Sequence, residues 1–408
     1  MSSLRSLLVF SISTIMALAV SGNAYGVTKP KNKKSCAATV IPEYGSLKDD
    51  FEHDTDYLVE ILERTPIKDQ MNMGTCHLHS WAANLERSYF LRTGKTVELS
   101  ASYLTAMYTY RNAVGTLGHQ DVDWKLYLGS TPLNSYSAIG KIGLVPESIW
   151  KPARQFYKNP LADQLETFLQ NIITRAKLDM EDAPTPEVAS QMKMQANQEI
   201  MQLLFTYTGE IPQQFEFEGA IYDPVRFAQT QFPELGLPLV EMRVSDDRDV
   251  TEYEAGHGRH VSLATSIDTV EDTVVKLIDM GYQVTLSYEH EAAYVDKKTG
   301  IMSIAAFLFP SSARPLSRLE RTESQSHRGG HQVEIVGYDR DPRTGEVSKF
   351  KVKNSWGKKT ASAGYYHMYR DFFRAFSKGI TFTSKPEIEL PLATPVSAPE
   401  PSAPVYEI

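Results

Sequence analysis

Gln70-Met71-Asn72-Met73-Gly74-Thr75-Cys76 is the stretch richest in chemical potential, and two distant pieces answer to it. These are Gly330-His331-Gln332-Val333 and Lys353-Asn354-Ser355-Trp356-Gly357. A thiol, an imidazole and two carboxamides are the parts an acyl-transfer site needs. A thiolate attacks a carbonyl, an imidazole moves the proton, and amides orient the ring and hold the developing oxyanion. Cys76 opens a segment with helical periodicity, Thr75 to Arg92, in which Thr75 can cap the first turn and Gly94 ends the last. The positive end of that helix is expected to lower the thiol's pKa. A lone cysteine there also reads as a small buried hydrophobe. The spacing to Gln70 and the glycine at Gly74 favour the chemical reading.

His331 is the expected base. Strand alternation puts His331, Val333 and Ile335 on one face, and Phe350, Val352 and Asn354 on one face of the next strand. Asp341-Pro342-Arg343-Thr344-Gly345 between them suits a type I turn followed by a left-handed glycine. A turn centred between Pro342 and Arg343 sets His331 directly opposite Asn354. The Asn354 amide oxygen then accepts from one imidazole nitrogen and leaves the other for Cys76. Gln70 and the Cys76 backbone N–H make an expected oxyanion hole. Trp356 is placed to cover Asn354, or to serve as a core aromatic.

Other polar motifs compete. Cys76-His77-Leu78-His79 has metal-ligand residue types but lacks a second pair at zinc spacing, so no metal is expected. His290-Glu291 opens like a zinc-protease helix, yet Tyr294 stands where the second histidine belongs. No cofactor motif stands out. The 408 residues carry a net charge of −8, which argues against nucleic acid as a partner. Hydrophobic content of 42% and charged content of 23% suit a soluble globular protein of one large domain or two packed lobes.

Residues 1–26 read as a secretory signal, with Arg5 before an apolar run and small residues near Ala24. That reading places the chain in the periplasm or outside the cell, with no stable membrane association after cleavage. Cys36 and Cys76 are the two cysteines, and a disulfide between them would block the proposed chemistry.

Residues 27–50 read as an extended lead-in. Helices are expected from Leu99-Ser100 to Tyr110, over Ser137 to Ile142, and across residues 161–206 with a break at Pro184-Thr185-Pro186. Another starts at Asp223-Pro224. Thr269-Val270-Glu271-Asp272 fits a capping box, and Gly281 ends the helix it would start. Strands are expected at residues 283–288, 331–338 and 349–355. Helices first and antiparallel strands later predict an α+β protein with a helical lobe and a sheet or barrel lobe. Residues 385–408 read as a Pro-rich disordered tail.

These residues together resemble the papain superfamily of cysteine peptidases, in its bleomycin-hydrolase-like aminopeptidase branch. The likeness runs from about Ile41 to Phe376 and includes Gly143-Leu144-Val145-Pro146, Asp296-Lys297-Lys298-Thr299-Gly300 and Gly364-Tyr365-Tyr366. It implies a papain-like two-lobe domain over residues 51–384 with a helical insertion at about 155–230, acting on peptide or protein substrates. It also implies Cys76 as nucleophile, His331 as acid/base, Asn354 as orienter and Gln70 as oxyanion donor. Gly129 and Ser130 match the substrate-side loop, with Ser130 in place of a second glycine. The family's tryptophan after the nucleophile is His77 here, which makes His77, with Trp356, an expected pocket residue. Two alternatives stay open, a catalytically altered binding protein on this fold and an acyltransferase using the same thioester.

Overall fold

The computed structural model describes residues 46–121, 123–245, 253–256, 260–308 and 329–384. The expected leader, residues 27–45 of the lead-in, Cys36 and the Pro-rich tail lie outside the described residues.

Two hydrophobic cores organise the chain. The first is helical. Helix α1 (Cys76–Thr93), α2 (Ala101–Leu117), α3 (Pro132–Ile142), α4 (Leu161–Glu181), α5 (Pro186–Thr208) and α6 (Pro224–Gln231) contribute to it. Caps explain several starts. Ser100, Thr131, Thr185 and Asp223 each accept from a backbone N–H three residues on. Pro132, Pro186 and Pro224 take first-turn positions, where no N–H is needed. Helix α3 begins earlier than the expected Ser137, because Thr131 and Pro132 already form a start. Thr75 sits at the N-cap of α1, but its hydroxyl is buried without a partner, so the expected side-chain cap is absent.

The second core lies in a mixed sheet. Strand β5 (Leu239–Val244) pairs in parallel with β7 (His260–Thr265), and β6 (Tyr253–Gly256) edges it. The order continues through β14 (Ser377–Thr383), β8 (Val284–Glu289), β11 (Gly330–Arg340), β12 (Val347–Lys353), β13 (Tyr365–Tyr369) and β9 (Ile301–Met302). β13 and β9 are also parallel, so the sheet expected as antiparallel is mixed, with most neighbouring strands antiparallel. The short strand β2 (Val59–Glu60) pairs with β11, while β1 (Ser46–Leu47) pairs with β10 (Phe307–Leu308) and β3 (Phe215–Phe217) with β4 (Ala220–Tyr222). Helices α7 (Ile267–Asp279) and α8 (Arg370–Phe376) pack on this sheet. Ser266, not Thr269, caps α7; it accepts from the Thr269 N–H, which makes Thr269 the third helical residue. Val270, Val274, Leu277 and Ile278 form its buried stripe.

Helix α1 lies between the cores. It touches α2 and α3 on one side and β8 and β11 on the other. That is why residues from His77 to Leu85 are buried on every face rather than along a stripe. β11 is the buried partner of α1 in the sheet, flanked by β8 and β12. Helix and strand thus bring Cys76 and His331 to the junction of the two cores.

Candidate active site

Residues 67–75 fold against the segment after β12. Gln70 N–H donates to the Ser355 carbonyl at 2.8 Å, and Gly357 N–H donates to the Lys68 carbonyl at 3.0 Å. Ser355 Oγ then donates to Gln70 Oε1 at 2.6 Å, which fixes the carboxamide from its oxygen end. Gln70 Nε2 spends one hydrogen on the Met73 carbonyl at 3.1 Å and keeps a second. No spacing signal marks Ser355 in the sequence; this clamp is one of the contacts that bring it into the site.

Cys76 starts α1 as a free, half-buried cysteine. Burial pushes its thiol up, against the pull of the backbone N–H groups of Gln332, His77 and Cys76 itself. The expected lowering by the helix start is therefore real in direction but outweighed by desolvation. His331 is 6% exposed, and burial pushes its imidazole down to about 4 while the Asn354 hydrogen bond raises it. Both effects favour a neutral thiol beside a neutral imidazole at rest.

His331 Nε2 lies 2.9 Å from Asn354 Oδ1. That oxygen also accepts from the Ser355 N–H at 2.7 Å, so it is the amide's acceptor end and Nε2 carries the hydrogen. The expected contact forms, but not by the expected register. Asp341 N–H bonds the Glu346 carbonyl, which centres the turn between Arg343 and Thr344. Glu334 then pairs with Lys353 and Ile335 with Val352, past a bulge beyond Ile335. Carried one residue on, Asn354 faces Val333, two residues from His331. A shift of two keeps each side chain on its own face, and the amide reaches the ring diagonally.

Trp356 stacks on the His331 ring at 4.7 Å and 23°, and His290 meets Trp356 edge-on at 4.9 Å. The tryptophan covers the imidazole. Tyr288 closes on His331 at 5.7 Å.

Gln70, Cys76, Gly129, Ser130 and His331 line one cavity of about 440 Å³. Its lining also includes Glu241, Arg243 and Lys378, polar residues the sequence did not suggest. Gln332 Nε2 donates to the Ser130 carbonyl at 3.3 Å, tying the substrate-side loop to the strand of His331. Two expected pocket residues are placed elsewhere. Trp356 stands behind His331. His77 is buried, with Nε2 donating to the Leu128 carbonyl at 2.9 Å, Nδ1 2.8 Å from Ser135 Oγ and its ring against Tyr108. The first helical turn aims it into the helical core, and burial pushes it down to about 4. His79 Nδ1 donates to the Thr75 carbonyl at 2.9 Å, a helix-start contact rather than a metal ligand.

The Peptidase C1-like family matches residues 252–388. "Cysteine proteinase 1, mitochondrial" of Saccharomyces cerevisiae is 23% identical over 361 residues, covering 77% of this chain and 74% of that protein. Aminopeptidase W of Lactobacillus delbrueckii subsp. lactis is 31% identical over 94 residues, 22% of this chain and 21% of that protein. Among solved structures, PepW from Lactobacillus rhamnosis superposes with a TM-score of 0.65 at 17% identity, over 81% of this chain and 82% of that one, a likeness of fold.

These relatives correct the expectation of export. The yeast protein is named as mitochondrial, and none of the three is named as a secreted or periplasmic protein. Arg5, several serines and the absence of acids before Tyr25 make a composition that secretory signals and organelle transit peptides share, so it does not specify an address. Among the described residues, no helix is long and apolar enough to cross a membrane.

Proposed function

Because the chain belongs to the papain-like cysteine peptidases, in their bleomycin-hydrolase-like branch, we propose that it hydrolyses peptide bonds through a thioester on Cys76. The observation that carries this reading is the His331 Nε2 to Asn354 Oδ1 bond beside the cavity that Cys76 and His331 share. With Nε2–H committed to Asn354, Nδ1 is the nitrogen left to take the thiol proton. Cys76 Sγ attacks the substrate carbonyl as that proton moves. The oxyanion takes hydrogen bonds from the Cys76 backbone N–H and from the second Gln70 Nε2 hydrogen. His331 Nδ1–H then protonates the leaving amine, the C–N bond breaks, and the thioester remains. Water, deprotonated by His331, attacks the thioester and restores the Cys76 thiol.

A neutral resting pair suits this sequence of steps. Substrate entry displaces water, and the proton passes between Cys76 and His331 only as the new bond forms. The working domain is residues 51–384, with the helices of residues 155–230 as an insertion in the helical core. The ligand is a peptide, and no metal or organic cofactor takes part in the proposed steps.

Labelling with an epoxysuccinyl thiol inhibitor tests the assignment. Folded protein is expected to take one adduct at Cys76 and lose activity, and Cys76→Ala is expected to be inactive. Undiminished peptidase activity in Cys76→Ala would sink the proposal. Peptide binding in both proteins with no turnover in either points instead to a binding protein, a reading the raised thiol pKa favours. Amide products formed only with added amines mark an acyltransferase. Comparing free-amine with N-acetylated peptides in the same assay reports end preference, the natural question given relatives named aminopeptidases.

A further inference from the structure

Three residues past His331 on β11, Glu334 is 1% exposed. Its carboxylate accepts from Ser80 Oγ at 2.5 Å, Thr285 Oγ1 at 2.6 Å and Asn84 Nδ2 at 3.0 Å. Ser80 and Asn84 lie on α1, four and eight residues after Cys76, and Thr285 lies on β8. A carboxylate held away from water is expensive, and an apolar side chain would serve packing alone. Here donors from two neighbouring elements converge on one group that does not line the Cys76 cavity.

We propose that Glu334 is a positioning residue that ties the helix of Cys76 to the strand of His331 and sets the gap across which their proton passes. The inference rests on the proposed Cys76–His331 pair. Ser80 and Asn84 are four residues apart, about 6 Å along the axis, so the carboxylate grips α1 at two levels and resists both sliding and rolling. Tolerance is small, since a misplacement of about 1 Å at a reacting pair can cost about 100-fold in rate.

The grip also depends on protonation. Burial pushes the Glu334 carboxyl up to about 7, against the three hydrogen bonds and the Lys353 charge, which pull it down. The groups around it come from every neighbouring element. Lys353 from β12 is paired with Glu63, and Lys68 from the nucleophile loop is paired with Glu86. His79 from α1 is held neutral by burial. Lys68, His79, Lys353 and Glu334 line one small internal chamber with Asn354 and Ser355. As a carboxylate, Glu334 accepts all three bonds. As a carboxylic acid, one oxygen becomes a donor and the charge behind the three accepted bonds is lost, which weakens the grip.

The test uses the full chain and three readouts, namely kcat, KM and the rate of Cys76 alkylation by iodoacetamide from about pH 5 to about pH 9. Glu334→Gln is expected to lower kcat about 10- to 100-fold with KM changed less than about two-fold. The wild-type inflection near neutrality should vanish from its alkylation profile. Wild-type kcat and an unchanged profile in Glu334→Gln, with Cys76→Ala inactive, would overturn the proposal. Activity surviving in Cys76→Ala overturns the nucleophile assignment instead. Should Glu334→Gln fail to fold, Ser80→Ala and Thr285→Val each remove one donor and keep the carboxylate. Each is expected to lower kcat and move the inflection to higher pH, and unchanged values in both would overturn the proposal.

Discussion

Asn354 Oδ1 accepts two hydrogen bonds at once, from His331 Nε2 and from the Ser355 N–H. The backbone bond holds the amide still, and the still amide selects the imidazole tautomer. Asn354→Ala removes the acceptor and leaves a buried N–H unpaired, a cost of about 1–3 kcal/mol. The expected outcome is a fall in kcat of roughly 10- to 100-fold with little change in KM, read by steady-state kinetics. Gln70→Ala deletes the proposed oxyanion donor and should lower kcat by about 100- to 1,000-fold. An equal fall in Gln70→Glu, which keeps the Ser355 contact but loses the donor, assigns the loss to the N–H₂ rather than to the clamp. The grouping of Cys76, His331, Asn354 and Gln70, the proposed catalytic set, was legible in the sequence because their types are scarce and their order distinctive. Ser355, Gln332, His290 and Glu334 were not, because a single polar residue on a strand or turn has no spacing to betray it. His77 was misplaced for a related reason. Adjacency to the nucleophile says nothing about which way a helical turn aims the side chain.

At the scale of elements, the segment after β12 and the loop before α1 hold each other. Gly357 sits at φ 76°, and a Cβ there would lie 2.5 Å from Asp69 Oδ2, next to Gln70. Gly345, in the hairpin turn, sits at φ 73° with open space around it. Gly357→Ala is therefore expected to cost about 1–3 kcal/mol of stability and to lower kcat as well, because the loop carrying Gln70 must move. Gly345→Ala should cost about 1 kcal/mol and leave kcat unchanged. Thermal melts beside kinetics check the pair, and equal kcat in both variants would remove the link between Gly357 and the site. The same turn explains a register the sequence did not deliver. Gly345 belongs to the loop rather than the strand, so the turn centre lies one residue later than the Asp-Pro pattern indicates and the pairing slips by two. Helix starts at Thr185 and Asp223 were legible because a capping residue followed by proline is a local signal. Strands of two residues, such as β1, β2, β9 and β10, are too short to show a period.

Across the whole molecule, packing around α1 and over the sheet buries histidines that a surface would leave exposed. Burial holds His77, His79, His331 and His367 down to about 4 and His290 to about 3. In the unfolded chain each takes a proton near its ordinary value of 6.5. Between those values the unfolded state binds more protons, so stability rises with pH across the window and is lost as pH falls through it. Glu334 runs the other way. Its folded value of about 7 lies above its ordinary 4.5, so it contributes stability at low pH that fades as pH rises toward 7. Among the described residues, these five histidines and His53, also lowered by burial, outnumber the carboxyls that burial raises, Glu334, Glu147 and Glu166, and predict a melting temperature that drops steadily from about pH 6.5 to about pH 4. Glu334→Gln, by deleting one opposing group, should steepen that drop. Calorimetric melts of both proteins across the window decide it. A flat profile in the wild type would mean that the histidines take up protons without unfolding the junction between the cores, and the neutral resting pair at Cys76 and His331 would go with it.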